Sequence, residues 1–187
     1  ACVVYARSVA LLSEDLRNVR PTVLVSVPRI YERVQARLQE VLATSPLKAR
    51  LFAWAEAVGW RRFCRQQGLT VPASPWSLFD GLVWPVLERL AARPLLAQFG
   101  GRVRVAVSGG APLSPAVARC FLGMGMPLVQ GYGMTETSPV VACNLPADND
   151  PATVGRALPG VEVRIGENRE LQVRGAIVMK GYLNRPE

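Results

Sequence analysis

The spacing of apolar residues predicts alternating strands and helices over most of the chain. Residues 22 to 43 open with a β-rich run and continue with apolar residues at helical spacing, which indicates a strand followed by a helix. Ser26 is expected to cap this helix, with Pro28 in the first turn, where its missing N–H costs nothing. Residues 47 to 68 carry apolar and basic residues on different faces and predict an amphipathic basic helix. Pro85 is expected to kink or divide the next helical stretch.

The middle of the chain predicts a βαβ unit with a glycine-containing loop after each strand. Residues 102 to 108 alternate between apolar and polar side chains, which is typical of a strand, and a Gly-Gly loop follows directly. Ser114 and Pro115 suit the N-cap and first turn of a helix. A second short strand over residues 127 to 130 runs into the segment 131 to 136. Because loops that follow parallel strands lie side by side, we expect both loops at one crevice.

The end of the chain has a different pattern. Residues 161 to 165 and 171 to 173 alternate between apolar and polar, with a polar turn between them, and predict a hairpin. We place a boundary between residues 148 and 151. Residues 1–148 are then the α/β part, and residues 149–187 begin a β-rich subdomain. The predicted fold class is a layered α/β core with a smaller β-rich subdomain at its C-terminal end.

The composition narrows the classes of function. Among 187 residues, 22 are basic and 14 acidic, and the net charge of +8 suits a polyanionic ligand such as ATP or CoA, or an acidic membrane surface. The basic residues are scattered rather than clustered, so no nucleic-acid partner is expected. Histidine is absent, which excludes His-based acid–base catalysis and nearly all transition-metal sites. The tryptophans, which belong to no motif, are expected mainly in the core.

The expected location is the cytoplasm. The four cysteines are far apart and form no CxxC pair, which favours a reducing compartment. No apolar run approaches the length of a membrane span, so the sequence predicts a protein that is soluble or at most peripheral. The basic helix over residues 47 to 68 could rest on the inner face of an anionic membrane. The same pattern also occurs in any surface helix with one buried face, and the oligomeric state stays open.

The second glycine loop carries groups that suit a magnesium nucleotide. Tyr132 offers a ring that can stack on a base for about 1–3 kcal/mol. Thr135 offers a hydroxyl that can donate to a phosphate, and Glu136 offers a carboxylate that can hold Mg²⁺. The Gly-Gly loop by itself is as often a plain tight turn as a ligand contact.

Glu136 also excludes a common alternative for this loop. Gly131 and Gly133 could begin a dinucleotide-binding motif, but its third glycine would fall at position 136. A carboxylate there would repel a pyrophosphate unless a cation lay between them, which favours Mg²⁺ over NAD. The chain also lacks the GxxxxGK[ST] motif of Walker-type NTPases.

Several segments resemble the adenylate-forming, or AMP-binding, superfamily. The two core motifs are Val107-Ser-Gly-Gly-Ala-Pro-Leu113 and Gln130-Gly-Tyr-Gly-Met-Thr-Glu-Thr-Ser138. Three later segments resemble the superfamily's following motifs, in the same order: Gly155–Gly160, Glu170–Gly175 and Met179–Glu187. Residues 27 to 34, with the long helical stretch before the Gly-Gly loop, are similar to long-chain fatty acid–CoA ligases in particular. The resemblance covers essentially the whole chain.

The resemblance implies a reaction and a set of site residues. A fatty carboxylate would attack the α-phosphate of ATP in the presence of Mg²⁺, and CoA would then displace AMP to give a thioester. Residues implied around the adenine are Gly110, Ala111, Pro112, Gln130, Gly131 and Tyr132, and those implied near the acyl carboxylate are Gly133 and Met134. Thr135 would contact the α-phosphate and Glu136 would bind Mg²⁺, so these two are the expected catalytic residues.

The resemblance further implies that this chain is a fragment of a larger two-domain enzyme. A phosphate loop is expected before Ala1, and a ribose-binding Asp and a C-terminal domain with a catalytic Lys are expected after Glu187. Without them, the chain alone is expected to be inactive. Two alternatives stay open: an adenylating ligase for another carboxylate, such as an aryl, medium-chain or amino acid, and a non-catalytic remnant of the fold.

Overall fold

The computed structural model describes residues 2–8 and 10–185 and contains a five-stranded sheet, helices that cover it and a separate two-stranded hairpin. The predicted α/β class is confirmed. The helices are α1 (Leu12–Val19), α2 (Pro28–Ala43), α3 (Pro46–Gln67), α4 (Asp80–Leu87), α5 (Arg93–Ala97) and α6 (Pro115–Gly123). The strands are β1 (Val23–Ser26), β2 (Val105–Ser108), β3 (Leu128–Gly133), β4 (Val140–Cys143), β5 (Arg156–Ala157), β6 (Glu162–Ile165) and β7 (Leu171–Arg174).

The five-stranded sheet is mixed, with the order β1-β2-β3-β4-β5. Strands β1, β2 and β3 are parallel, and α6 joins β2 to β3 as the predicted βαβ unit. The sequence pattern predicts that the strand over residues 127 to 130 ends at Gln130. This is wrong, because that strand, β3, continues to Gly133. It does so by changing partner: β3 pairs with β2 up to Gln130 and antiparallel with β4 from Gly131 onward.

The core contains a cluster of aromatic rings and a close helix contact. Tyr31, Phe99 and Phe121 are buried, and the rings of Tyr31 and Phe99 meet that of Phe121 edge to face at 5.5 and 5.6 Å. Such pairs contribute about 0.5–1.5 kcal/mol beyond the burial of their surface. Helices α3 and α6 approach at Gly59, where a Cβ atom would lie 1.7 Å from the Gly123 carbonyl oxygen. This approach therefore requires glycine.

The expected cap of α2 is wrong, although the helix itself is confirmed. The N-cap is Val27, with Pro28 at the first helical position as predicted. The Ser26 hydroxyl instead donates to the phenolic oxygen of buried Tyr31 at 2.8 Å. Burial outweighs that hydrogen bond and raises the pKa of Tyr31 to about 12. Ser26 thus stabilises the contact between β1 and the core rather than the helix end.

The expectation that most tryptophans are core residues is also wrong. Trp54 and Trp76 are 52% and 71% exposed, and Trp60 and Trp84 are only partly buried. The guanidinium of Arg62 lies over the Trp84 ring at 5.4 Å, so a charged side chain covers part of its apolar face. Helix α4 contains Pro85 and continues past it to Leu87, and a π-helical turn, Glu88–Ala92, then separates α4 from α5.

The predicted basic helix is α3, and two of its arginines hold α4 in place. Arg61 and Asp80 are buried, and their side chains pair at 2.5 Å (Nη2 to Oδ1) and 2.9 Å (Nε to Oδ2). Arg65 donates to the same carboxylate at 2.6 Å. Burial by itself would raise the pKa of Asp80, but hydrogen bonds from Arg61 and Arg65 outweigh it and hold this pKa below its ordinary value. Asp80 therefore stays charged between two arginines.

The C-terminal part contains the predicted hairpin, since β6 pairs antiparallel with β7. Strand β5 lies beyond the predicted boundary at residue 148, yet it pairs with β4 in the five-stranded sheet. The division into residues 1–148 and 149–187 remains a prediction. Within the described part of the chain, no helix combines the length and apolar character needed to cross a bilayer.

Replacing Asp80 by Asn should destabilise the 187-residue chain by about 3–5 kcal/mol, because it leaves the buried Arg61 without its counter-charge. Urea unfolding followed by circular dichroism measures this loss. Asp148→Asn is the matched control, since Asp148 pairs with Arg156 on the exposed surface and should contribute at most about 1 kcal/mol.

The effect of Asp80→Asn should depend on pH in a defined direction. A carboxyl with a lowered pKa in the folded state stabilises that state fully above its unfolded pKa of about 3.9. The contribution is lost as pH falls through the lower folded pKa. The difference in unfolding free energy between the two proteins should therefore be constant near neutral pH and shrink below about pH 4. A difference that is independent of pH would contradict the ion-pair explanation.

Candidate functional site

The carboxyl ends of three parallel strands lie in register at one edge of the sheet. Ser26 of β1 pairs with Ser108 of β2, and Ser108 pairs with Gln130 of β3. Ser26 and Ser108 are the last residues of their strands, and Gln130 is the last residue of β3 that pairs with β2. A Cβ atom placed on Gly109 would lie 3.7 Å from the Gly131 carbonyl oxygen, so the two glycine segments are in direct proximity. The structure brings the two predicted loops together.

The Gly-Gly loop is fixed at both ends and exposed between them. The Gly109 N–H donates to the Ser26 carbonyl at 3.1 Å, and Leu113 is buried at the far end. Gly110 has φ of +81°, a left-handed conformation that favours glycine. Gly110, Ala111 and Pro112 are all exposed. The three residues that were predicted to line an adenine pocket thus present an accessible surface on a constrained backbone.

The side-chain amide of Gln130 is hydrogen-bonded to the loop between β4 and β5. Its amide nitrogen donates to the carbonyls of Pro151 at 2.8 Å and Thr153 at 2.9 Å. The buried Asn144 amide also donates to the Thr153 carbonyl, at 2.8 Å. Both N–H groups of the Gln130 side chain are therefore used within the protein. Gln130 is thus a structural support and has no side-chain donor left for a ligand.

Gly131, Tyr132 and Gly133 were predicted in a loop, but they lie in strand β3. Tyr132 is opposite Ala142 of β4, and the register shifts between Tyr132 and Gly133. A Cβ atom on Gly133 would lie 1.9 Å from the Pro139 carbonyl oxygen, so this close approach of two backbones requires glycine. Tyr132 is partly buried. Its ring is consequently held on a strand rather than on a flexible loop.

A short 3₁₀ turn, Thr135–Thr137, carries the remaining predicted residues. The buried Thr137 hydroxyl lies 2.9 Å from the Pro139 carbonyl and 3.0 Å from the Met134 carbonyl, and it accepts the Met134 N–H at 3.2 Å. The Met134 N–H also donates to the Pro139 carbonyl at 2.8 Å. These bonds fix the start of the turn. Thr135 is left exposed and Glu136 partly buried.

Two hydrogen bonds from one distant segment hold Glu136. The Tyr182 hydroxyl donates to Glu136 Oε1 at 2.5 Å, and the Met179 N–H donates to the Glu136 carbonyl at 2.8 Å. The bond from Tyr182 is the main cause that lowers the pKa of Glu136, and it raises the pKa of Tyr182. Glu136 is thus a carboxylate at neutral pH. The Tyr182 bond uses Oε1, and no other residue among 2–8 and 10–185 donates a hydrogen bond to Oε2, so this oxygen can ligate a cation.

The sequence pattern does not indicate two residues of this arrangement, Thr137 and Tyr182. Thr137 belongs to a segment quoted for the family resemblance, and its spacing after Glu136 gave no indication that it closes the turn. Tyr182 also lies in a quoted segment, but it is 46 positions from Glu136. A contact over that distance has no signature in local periodicity.

One cavity of about 240 Å³ lies away from this arrangement. It is lined by Trp84, Asn149 and Pro127 among others, which places it at the amino end of β3. None of the residues predicted for ligand binding lines it. The residues that the sequence predicts to bind the nucleotide therefore lie at the opposite end of the strands.

Comparisons with known proteins identify the family. The family profile described as AMP-binding enzyme matches residues 1–183. The long-chain-fatty-acid–CoA ligase FadD15 of Mycobacterium bovis is 40% identical over 179 residues, which cover 91% of this chain and 28% of that protein. The putative fatty-acid–CoA ligase fadD11 of Mycobacterium tuberculosis is 35% identical over 180 residues, which cover 94% of this chain and 30% of that protein.

A solved structure shows the same fold. The long-chain-fatty-acid-CoA ligase FadD1 from Archaeoglobus fulgidus superimposes with a TM-score of 0.51 at 18% sequence identity, over 94% of this chain and 29% of that protein. The chain thus spans less than a third of the length of these relatives.

Proposed function

Because this chain belongs to the AMP-binding enzyme family, we propose that it forms part of an ATP-dependent long-chain fatty acid–CoA ligase and contains most of its nucleotide site. The names of the mycobacterial relatives support the substrate, since both are described as fatty-acid–CoA ligases. The partners of the whole enzyme would be a fatty acid, ATP and CoA. Its products would be acyl-CoA, AMP and pyrophosphate.

The observation that carries this proposal is the position of the Glu136 turn. Strand β3 brings Gly131 next to Gly109 of the Gly-Gly loop and continues to Tyr132 and Gly133, and the turn that carries Glu136 follows it. A base placed against Gly110, Ala111 and Pro112 could contact the Tyr132 ring, with the phosphates directed toward Thr135. The groups of a magnesium nucleotide would then meet side chains suited to each of them.

The chain's own residues would act mainly by positioning and by charge. Thr135 is exposed on a fixed turn, and its hydroxyl can donate to an α-phosphate oxygen. Glu136 presents one free carboxylate oxygen as a ligand for Mg²⁺. When bound, Mg²⁺ would neutralise phosphate charge while a carboxylate attacks. Gly133 and Met134 would border the acyl carboxylate. No side chain here is required as a proton donor or acceptor.

We also propose the division into an α/β part, residues 1–148, and the start of a β-rich subdomain, residues 149–187. The hairpin of β6 and β7 and the segment after it support this division. That segment contacts Glu136 through Met179 and Tyr182, so the later part of the chain would complete the site of the earlier part.

In the full-length enzyme, Glu136→Gln should reduce fatty-acid-dependent ATP–pyrophosphate exchange by about 10²–10³-fold, the loss typical of removing one preorganised electrostatic group. Tyr132→Ala should mainly raise the KM for ATP, since it removes a stacking surface worth about 1–3 kcal/mol in both ground and transition states. Glu162→Gln is the matched control, because Glu162 pairs with Arg174 on the exposed hairpin.

Thermal melts of each variant establish that it is folded. Near-normal exchange by a folded Glu136→Gln enzyme, at limiting as well as saturating Mg²⁺, would remove Glu136 from the site. Exchange that depends on an aryl, medium-chain or amino acid substrate instead of a long-chain fatty acid would contradict the proposed substrate. Absence of exchange with every carboxylate would favour a non-catalytic remnant.

We further propose a peripheral contact with an anionic membrane, made by a different surface from the one predicted. Arg61 and Arg65 of the basic helix are engaged by Asp80, and Arg62 lies over Trp84, so these side chains are not directed at lipid. Exposed aliphatic residues instead recur every four positions along the stretch that includes α4. They are Leu78, Leu82, Val86 and Leu90, with exposed fractions of 90, 77, 59 and 57%.

The net charge of +8 and the exposed Arg89 complement an anionic lipid surface. The double variant Leu82→Asp/Val86→Asp should abolish co-sedimentation with phosphatidylglycerol vesicles at low salt. Val41→Asp, at a 52% exposed position of α2, should not. Equal sedimentation of the two variants, or no sedimentation of the unaltered full-length protein, would contradict the membrane contact. A change of oligomeric state in the double variant would identify a second copy as the partner.

A further inference from the structure

The contact between Tyr182 and Glu136 joins two parts of the chain at the point where a cation would bind. We propose that Tyr182 is a positioning residue, which holds one oxygen of the Glu136 carboxylate so that the other oxygen faces the divalent cation of the bound nucleotide. The inference rests on the proposed function, and it assigns a role to a residue outside both core motifs.

The geometry restrains the side chain and the backbone of Glu136 separately. The Tyr182 hydroxyl binds Oε1 at 2.5 Å, while the Met179 N–H binds the main-chain carbonyl at 2.8 Å. A glutamate side chain that is free in solution samples many rotamers, and fixing it costs conformational free energy. Here the segment Met179–Tyr182 already fixes the Glu136 side chain, so binding of the nucleotide does not have to supply this free energy. Thr137 fixes the backbone on the other side of Glu136.

The exposure of Tyr182 argues against a role in packing alone. Its side chain is 58% exposed and belongs to no part of the buried core, so burial of the ring does not explain where the hydroxyl lies. The hydroxyl donates a charge-assisted hydrogen bond to the Glu136 carboxylate. The Tyr182 hydroxyl uses only one of the two carboxylate oxygens. The arrangement therefore fixes the direction of the remaining oxygen without blocking it.

Hydrogen bonds of this kind have a known effect on metal sites. Groups that orient a ligating carboxylate typically contribute about 10–100-fold to metal affinity. Tyr182 supplies such a bond from the segment after β7, whereas Glu136 lies after β3. The affinity for the cation would thus depend on correct docking of the C-terminal segment. A purely structural tether would change the stability of the fold and leave the cation affinity intact.

The test is Tyr182→Phe in the full-length enzyme, which removes the hydroxyl and keeps the ring. Calorimetry gives the Kd for ATP with saturating Mg²⁺ and with EDTA, and the ratio of the two values is the gain in affinity that Mg²⁺ provides. The variant should bind ATP in EDTA as the unaltered enzyme does, and its Mg²⁺-dependent gain should fall about 10–100-fold or disappear. Tyr5→Phe is the matched control, because Tyr5 is 87% exposed and outside the site.

Two results with the variant would overturn the inference while leaving the proposed function intact. An unchanged Mg²⁺-dependent gain, with or without a lower melting temperature, would make Tyr182 a tether only. A larger gain would mean that Tyr182 competes with the cation. Loss of ATP affinity in EDTA as well would show a general disruption of the site and also overturn the inference. If the unaltered enzyme bound no ATP under either condition, the proposed function would fail first and this inference with it.

Discussion

The parallel register of β1, β2 and β3 is the constraint on which the rest of the site depends. It places Ser26, Ser108 and Gln130 in one row, so that the segments after them begin at the same edge of the parallel strands. The hydrogen bond from Gly109 N–H to the Ser26 carbonyl extends this order into the Gly-Gly loop. The core behind the row, with Tyr31 and Phe121 in contact, keeps the strands in place. Without this register the two glycine segments would not lie next to each other.

The second constraint is the change of partner along β3. The strand leaves β2 and continues beside β4, and the close approach of Gly133 to Pro139 brings the backbone into the turn that carries Thr135 and Glu136. Gly131, Tyr132 and Gly133, which the sequence presents as a flexible loop, are thus held in strand β3 by pairing with β4. This explains how a short exposed turn can offer a hydroxyl and a carboxylate in fixed positions, which electrostatic stabilisation of a reaction requires.

Local patterns in the sequence predicted much of the fold and the proximity of the two glycine segments. The strand before α2, the basic helix α3, the βαβ unit and the final hairpin follow from periodicity and from glycine and proline positions. The continuation of β3 could not be predicted, because it depends on pairing with β4. Ser26 was assigned to a helix cap because its neighbouring residues suit one, whereas tertiary packing directs its hydroxyl to Tyr31. Tyr182 reaches Glu136 across 46 positions, and only the folded chain shows that contact.

The most direct test of the proposed nucleotide site is a crystal structure of the full-length protein with AMP and Mn²⁺, with the metal located by anomalous scattering. We expect adenine between Gly110–Pro112 and the Tyr132 ring, the phosphate beside Thr135, and Mn²⁺ within ligand distance of Glu136 Oε2. AMP bound elsewhere, such as in the cavity beside Trp84 and Asn149 at the amino end of β3, would contradict it, as would Mn²⁺ held without Glu136.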